Sequence, residues 1–340
     1  VSTNGDHATR RPRLTPAVAD CRRAVTECVT KHLPDASGQH FLIATSGGAD
    51  SLALCLAAAF SLPRLGHSAE AVIVDHQLQE NSADVAHQAK TRVEAMGLAA
   101  RVITVTVDPE GNVEHGARAA RYEALEGYLS SSGATGVLLG HTQDDQAETV
   151  LLGLTRGSGP ASIRGMAPVR GVYYRPFLDI TRATTRQACS DLGVEWWDDP
   201  HNVDRRFIRP RIRHDILPAI EDALGPGIRE ALANTARLVA EDDDYLAKEA
   251  ASATEKCLTQ DNDLAVDALG ALAQPIRRRV LRQWVLGRLG ESMSMSQTDM
   301  LDALVVSWKG QGPVDLAGHK LARQDGLLTI SPGSGDNHGV

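Results

Sequence analysis

Phe41-Leu42-Ile43-Ala44-Thr45-Ser46-Gly47-Gly48-Ala49-Asp50-Ser51 is the stretch on which the reading of this chain turns. A short, fully apolar run ended by small polar residues predicts a strand buried on both faces. Residues 51–60 read as the following helix, so the glycines fall at a strand-to-helix turn. Such a turn aims backbone N–H groups and a helix N-terminus at one anion, and glycine lets the main chain approach it closely. The turn lacks the Gly-Lys-Ser/Thr ending of the loop used for γ-phosphoryl transfer, and it lacks the GxGxxG spacing of dinucleotide binders.

Working outward, apolar runs recur at 71–75, 102–107 and 137–140, with a fifth strand expected at 172–175. Helical segments are expected between them at 82–96, 112–129 and 143–154, and after them at 181–192. Apolar strands alternating with helices predict an α/β fold with a doubly wound, mostly parallel sheet. Ahead of the sheet, Thr15-Pro16 starts a docking helix whose Val18, Cys21, Val25, Cys28 and Val29 share one face. Beyond about 215 helical periodicity dominates, at 227–257, 273–289 and 296–307, before a strand-like tail at 314–330. The expected organisation is a tail and docking helix (1–40), a catalytic α/β domain (41–214), a mainly helical accessory domain (215–330) and a disordered tail (331–340).

The chain has 340 residues, 42% hydrophobic and 23% charged, enough for two globular domains. Its net charge of −8 is unlike that of a nucleic-acid binder, but phosphate binding depends on local faces rather than on totals. One basic face is explicit in Arg205, Arg206, Arg209, Arg211 and Arg213, and arginine runs of this kind mainly neutralise backbone phosphates. Arg277, Arg278, Arg279 and Arg282 either extend that track or form a solvated helix face. Five scattered cysteines with no CxxC pair argue against a zinc knuckle, a cluster or a disulfide framework. The longest apolar stretch, 52–62, is far short of the ~20 residues of a membrane span. With no apolar leader in the sequence, a cytoplasmic location is expected.

A second constellation is Gly140-His141-Thr142-Gln143-Asp144-Asp145-Gln146-Ala147-Glu148-Thr149, where the fourth strand meets its helix. His141, Asp145 and Glu148 lie about a turn apart and share a face, and ligands of open α/β sheets bind at this carboxyl edge. A helix cap needs one acid; three acids beside a histidine, with no basic partner nearby in sequence, exceed that need. A third piece is the pair Arg118 and Arg121, neighbours on one helix surface.

The Ser46–Ser51 motif resembles the signature of the pyrophosphate-loop (PP-loop) ATPases. The set as a whole resembles the tRNA(Ile)-lysidine synthetase family over roughly residues 40–215. The segments that carry it are Ser46 to Ser51, the helix Glu114-His115-Gly116-Ala117-Arg118-Ala119-Ala120-Arg121-Tyr122, and His141 to Thr149. Arg156-Gly157-Ser158-Gly159, Arg164-Gly165-Met166, Arg175-Pro176-Phe177-Leu178 and Asp199-Pro200-His201-Asn202 complete it. The resemblance implies an attack at the α-phosphate of ATP that adenylates the wobble cytidine of a CAU-anticodon isoleucine tRNA, followed by displacement of AMP by the ε-amino group of L-lysine. By the same resemblance Ser46, Gly47, Gly48, Ala49, Asp50 and Ser51 hold ATP and the leaving pyrophosphate, and Asp50 helps place Mg²⁺. A homodimer remains open. Two departures stand out: Asp75-His76-Gln77-Leu78-Gln79 where a His-Gly-Leu-Arg-like run is common, and Pro210 where asparagine is usual. The alternatives are tRNA thiolation by the same base adenylation and a non-catalytic tRNA-binding protein.

Lysine sharpens the chemical demand. With a side-chain pKa near ~10.4, only about one amine in two to three thousand is neutral at pH 7, which withholds roughly 4 to 5 kcal/mol from the nucleophile. Asp145 and Glu148 suit recognition of the ammonium, and His141 or Asp145 is the candidate base. Asp50, His141 and Asp145 form the expected catalytic set, and Arg118 and Arg121 pair with the lysine carboxylate or with phosphate. Trp196 and Trp197 either stack on bases or serve packing.

Overall fold

The computed structural model describes residues 14–34, 36–78, 81–106, 113–157 and 159–333, with backbone alone at 113–115. The loose ends expected at 1–13 and 334–340 lie outside these residues, as does Asn112 at the expected start of the fourth helix. The chain divides into two compact units: residues up to 152 with 165–234, and 153–164 with 235 onward.

In the first unit six strands line up as β3 (Ala99–Thr104), β2 (Ser68–Asp75), β1 (His40–Thr45), β4 (Gly136–Leu139), β6 (Tyr173–Tyr174) and β5 (Val169–Arg170). All neighbours are parallel except β5, which runs antiparallel to β6. Successive side chains of β1 leave opposite faces, as a two-residue period requires. Phe41 and Ile43 join one buried cluster, with Leu52, Leu54 and Phe177. Leu42 joins another, with Val72, Leu125, Leu139 and Tyr173. Both faces are therefore covered, which is why the run from Phe41 to Ala44 carries no polar residue.

The first face is covered by α1 (Pro16–His32), α2 (Ala49–Arg64) and α7 (Arg182–Asp191), which contact one another. Thr15 caps α1, Pro16 occupies its first turn, and Val18, Cys21, Val25, Cys28 and Val29 are its buried face. The first unit also holds α3 (Ser82–Ala95), α4 (Val113–Ser132) and α5 (Gln143–Arg156, which runs past the end of this unit); the short α6 (Pro160–Ile163) belongs to the second unit. After α7 come α8 (Ile208–Arg211), a wide π-type turn over Ile212–Ile216, and α9 (Leu217–Leu224). Pro210 is buried in the first turn of α8, where its missing N–H has no intrahelical partner to lose. The strand order reverses between β1 and β4, so a crevice opens at the carboxyl ends of these strands.

The second unit packs α10 (Ile228–Cys257), from Thr235 on, with α11 (Val266–Gly270), α12 (Gln274–Leu289) and α13 (Met295–Val306). A four-stranded antiparallel sheet joins them, ordered β7 (Leu264–Ala265), β10 (Leu327–Pro332), β9 (His319–Gln324) and β8 (Val314–Leu316). Its core holds Leu264, Val280, Leu281, Trp284, Leu301, Leu321 and Leu328. The expected helical segments are present, and the strand-like tail is three strands of this sheet, running to Pro332. Residue 215, where composition suggested the division, lies inside the first unit. Ile228 and Leu232, at the start of α10, pack with Ala147, Ile212 and Leu217, which carries the first unit on to Asn234.

Candidate active site

The turn from β1 into α2 is held in one shape by its own residues. Gly47 takes a left-handed φ of 82°, and a Cβ there would stand 3.1 Å from Ala89 Cβ. Gly48 is the N-cap of α2, where no side chain competes for the helix N–H groups. Ser51 Oγ donates to the Gly48 carbonyl at 2.9 Å and accepts from the Ser46 N–H at 3.2 Å, so one hydroxyl pins both sides of the turn. The loop also meets the end of β4 closely. A Cβ on Gly140 would lie 3.1 Å from the Asp50 carbonyl oxygen, so the second motif must open with glycine.

A cavity of about 360 Å³ lies at the carboxyl ends of β1, β2 and β4. Ser46, Asp50 and Ser51 line it together with His76, Arg121 and His141, and Val72, Leu125 and Leu139 supply apolar wall. Loop residues Ser46, Asp50 and Ser51 and, of the second motif, Gly140 and His141 therefore meet in one crevice with Arg121, whereas Asp145 and Glu148 do not line it. Trp197 also lines the cavity, and its backbone N–H donates to the Gly47 carbonyl at 3.0 Å. Trp196 instead donates to Asp198 at 3.2 Å. Arg118 is exposed on α4, with its guanidinium 5.0 Å from the Tyr122 ring centroid.

His141 and Asp145 are both shifted downward, which leaves the imidazole neutral and the carboxylate charged. Burial lowers His141 to about 4; Asp145 opposes this, while Arg175, Arg121 and Arg118 add to it, so the imidazole is neutral at pH 7. For Asp145, burial disfavours the charge, but Arg182, the Thr142 N–H, His141 and Arg213 together outweigh it and hold its carboxyl below the usual range. The Thr142 N–H and hydroxyl donate to Asp145 Oδ2 at 2.8 and 2.9 Å, so Asp145, third residue of α5, reaches back to the residue that precedes the helix.

The acids of the second motif do have basic partners, supplied by tertiary structure. Arg182, at the first position of α7, donates from Nη2 to Asp145 Oδ1 at 2.7 Å and from Nε to Asp50 Oδ2 at 3.4 Å, and its Nη1 lies 3.6 Å from Glu148. Its backbone N–H donates to Asp144 at 2.8 Å. Glu148 is fully buried and is held by Arg213 at 2.7 and 3.2 Å and by Arg209 at 3.5 Å. Arg229 adds a contact to Asp144 at 3.4 Å. Asp50 also accepts a short hydrogen bond from the Thr185 hydroxyl; burial still pushes its carboxyl upward against Arg182 and Thr185.

This divides the arginine run in two. Arg209 and Arg213 are four apart, share a face and turn inward to Glu148. Arg205, Arg206 and Arg211 are exposed; Arg205 meets Asp215 at 3.0 Å and Arg206 meets Asp204 at 2.6 Å. In the second unit the α12 arginines are engaged with their own domain. Arg277 is buried on Asp302 at 2.6 Å, Arg278 meets Asp299 at 2.6 Å, Arg279 meets Asp243 at 2.7 Å, and Arg282 donates to Thr298 at 3.0 Å. Sequence reasoning missed Arg182, Arg175, His76 and Thr185. Arg175 and His76 lay within quoted segments, but nothing in the local sequence of Arg182 and Thr185 marks them.

The donor set suits Mg²⁺ bound with a nucleotide. Mg²⁺ takes one or two carboxylates together with substrate phosphates and water, and Asp50 offers a carboxylate on the cavity wall beside the phosphate loop. Among the described residues no group of three or more His, Cys, Asp or Glu forms an all-protein cage. The five cysteines are free and buried, and no helix among the described residues is long and apolar enough to cross a membrane.

A family model described as a PP-loop domain matches residues 20–220, and one described as a TilS substrate binding domain matches residues 264–329. A tRNA(Ile)-lysidine synthase of Leifsonia xyli subsp. xyli is 45% identical over 329 residues, covering 92% of this chain and 99% of its own. One of Mycolicibacterium paratuberculosis is 46% identical over 319 residues, covering 91% and 95%. Among solved structures, the U34-tRNA thiolase NcsA of Methanococcus maripaludis, with its 4Fe-4S cluster, aligns at a TM-score of 0.56 and 15% identity, covering 66% of this chain and 80% of its own. At that identity the likeness speaks for the fold alone. Because whole-length relatives at this identity share both domains, the chain belongs to the tRNA(Ile)-lysidine synthase family, PP-loop ligases that act on tRNA.

Proposed function

We propose that the chain joins the ε-amino group of L-lysine to C2 of the wobble cytidine in the CAU-anticodon isoleucine tRNA, converting ATP to AMP and pyrophosphate. The observation that carries this reading is the single cavity holding the Ser46–Ser51 loop and Asp50 together with Arg121 and His141. In the first step the cytidine O2 attacks the α-phosphate and the bond to pyrophosphate breaks. The loop N–H groups and the serine hydroxyls receive the departing charge. Mg²⁺, held by Asp50 and the phosphates, would supply charge neutralisation there.

In the second step the lysine amine attacks C2 and AMP leaves. His141 is the better proton acceptor, through its Nε2, because burial already holds the imidazole neutral. Asp145, held ionised by its arginines, suits the ammonium instead. Asp145 and Glu148 accept that cation only if Arg182 or Arg213 yields a contact, so lysine binding is coupled to movement in this network. Arg118 and Arg121 serve the negative groups of the substrates. Arg205, Arg206 and Arg211, which face solvent, contact the tRNA backbone, while Arg209 and Arg213 support that segment from beneath.

The test is one assay: the full chain, ATP, Mg²⁺, the CAU-anticodon isoleucine tRNA and each of several labelled amino acids. Incorporation of lysine alone is expected. Pyrophosphate release with no amino acid incorporated would redirect the second step to another nucleophile.

A further inference from the structure

Four buried side-chain nitrogen or oxygen atoms among the described residues have no hydrogen-bond partner, and three of them share one neighbourhood: His76 Nδ1, His141 Nδ1 and Arg175 Nε. Buried polar atoms are nearly always paired, so such a concentration points to a ligand. His76, at the end of β2, and His141, at the end of β4, both line the cavity, and so does Arg121 of α4. Arg175 follows β6 and is only 7% exposed; it acts electrostatically on His141 and spends Nη1 on the Ala167 carbonyl at 2.8 Å.

Among the described residues, the guanidinium groups at this end of the cavity are short of carboxylate partners. Arg121 has Tyr122, Arg118 and Tyr173 as its described charge neighbours. Arg175 likewise faces Tyr122, Arg170 and Arg118. The acids that act on the two imidazoles are Asp145 for His141 and Asp75 for His76, and Asp50 and Asp199 also line the cavity. Asp145 is already held by Arg182 and Arg213, and Asp75 accepts from the Gln77 N–H at 3.0 Å. Both imidazoles are held neutral by burial and by these arginines, so each ring carries one N–H to donate. Two orphaned imidazole nitrogens and a guanidinium short of a carboxylate on one wall, with a second guanidinium acting on His141, match a group that brings several acceptor oxygens and a negative charge.

We infer that the end of the cavity walled by Arg121, His76 and His141, with Arg175 adding its charge, binds one oxyanion, a phosphate or a carboxylate. His76 and Arg175 thereby become ligand-recognition groups, the first by contact and the second through its charge. The inference rests on the proposed reaction only for the source of the oxyanion. In that reaction the phosphate of AMP and the α-carboxylate of lysine are the two groups of this chemistry that must be held apart from the pyrophosphate in the loop.

The experiment compares wild type with His76→Asn and Arg175→Lys as full-length proteins. Calorimetry gives the affinities for AMP and adenosine, and ligation kinetics give KM for lysine and for lysinamide. Unchanged adenosine affinity reports an intact cavity. If the oxyanion is phosphate, both variants lower the AMP-over-adenosine preference by about tenfold, one well-placed charged contact, and leave the lysine-over-lysinamide preference alone. If it is carboxylate, the second preference collapses and the first stands. Both preferences unchanged in both variants, with adenosine bound normally, would overturn the inference. The nucleotide arm needs neither tRNA nor lysine, so failure of the ligation reading remains distinguishable from failure of this one.

Discussion

Arg182 Nη2 donates to Asp145 Oδ1 at 2.7 Å across 37 positions of the chain, and this contact couples the second motif to the phosphate loop, because the same guanidinium reaches Asp50. A planar fork can hold two carboxylates at once, whereas an ammonium is a single point charge. Arg182 therefore fixes where the Asp50 and Asp145 carboxylates sit relative to each other.

Replacing Arg182 should damage catalysis and stability together. Arg182→Ala leaves a cluster of acids short of one cation and is expected to cost about 2–4 kcal/mol in denaturant unfolding. Arg182→Lys should recover most of that stability yet stay at least roughly 100-fold below wild type in pyrophosphate release, because one ammonium cannot register both carboxylates. Wild-type turnover in the lysine variant would show that the fork geometry is not needed.

His141 makes stability depend on mild acid. Its folded value of about 4 lies below the ordinary histidine range near ~6.5, so the unfolded chain takes up this proton first. Its contribution is complete above about 6.5 and is lost as pH falls toward 4, by up to about 3 kcal/mol. Urea unfolding of wild type and His141→Asn across this window should give curves that diverge toward neutral pH; parallel curves would refute the burial effect.

Gln77 stands where a glycine is common in the resembling family, and it adopts a left-handed φ of 55°. An L side chain there costs roughly 1 kcal/mol, part of which glycine returns through unfolded-state entropy. Gln77→Gly should therefore be neutral to stabilising by about 0.5 kcal/mol in thermal unfolding. A loss of more than 1 kcal/mol would mean that the glutamine side chain holds the turn.

The two sets of arginines should separate by phenotype. Arg211→Ala should weaken tRNA binding and reduce the salt dependence of affinity by about one charge, with stability unchanged. Arg213→Ala removes the closest partner of buried Glu148 and should instead destabilise by about 3 kcal/mol. Filter binding over a salt series, set beside unfolding curves, distinguishes them; the same outcome for both would erase the inward and outward division.

The strand from Phe41 and the cap at Thr15 were legible because each rests on residues close in sequence. The same holds for the turn at Ser46–Ser51. The arginine run was legible as charge but not as two faces: only the packing of Ile212 and Leu217 against Ala147 decides that Arg209 and Arg213 look inward. The four-stranded sheet of the second unit was read only as a strand-like tail, since Leu264–Ala265 is too short to declare itself.

By itself the sequence determined the turn at Ser46–Ser51, the sheet around it and the family the motifs resemble, since backbone periodicity and turn chemistry are local. Tertiary structure alone decided who neutralises Asp50, Asp145 and Glu148, and which buried nitrogens of His76, His141 and Arg175 are left waiting. Coulomb attraction and desolvation act through space, and α7, α8 and β6 bring those charges to the site from distant parts of the chain.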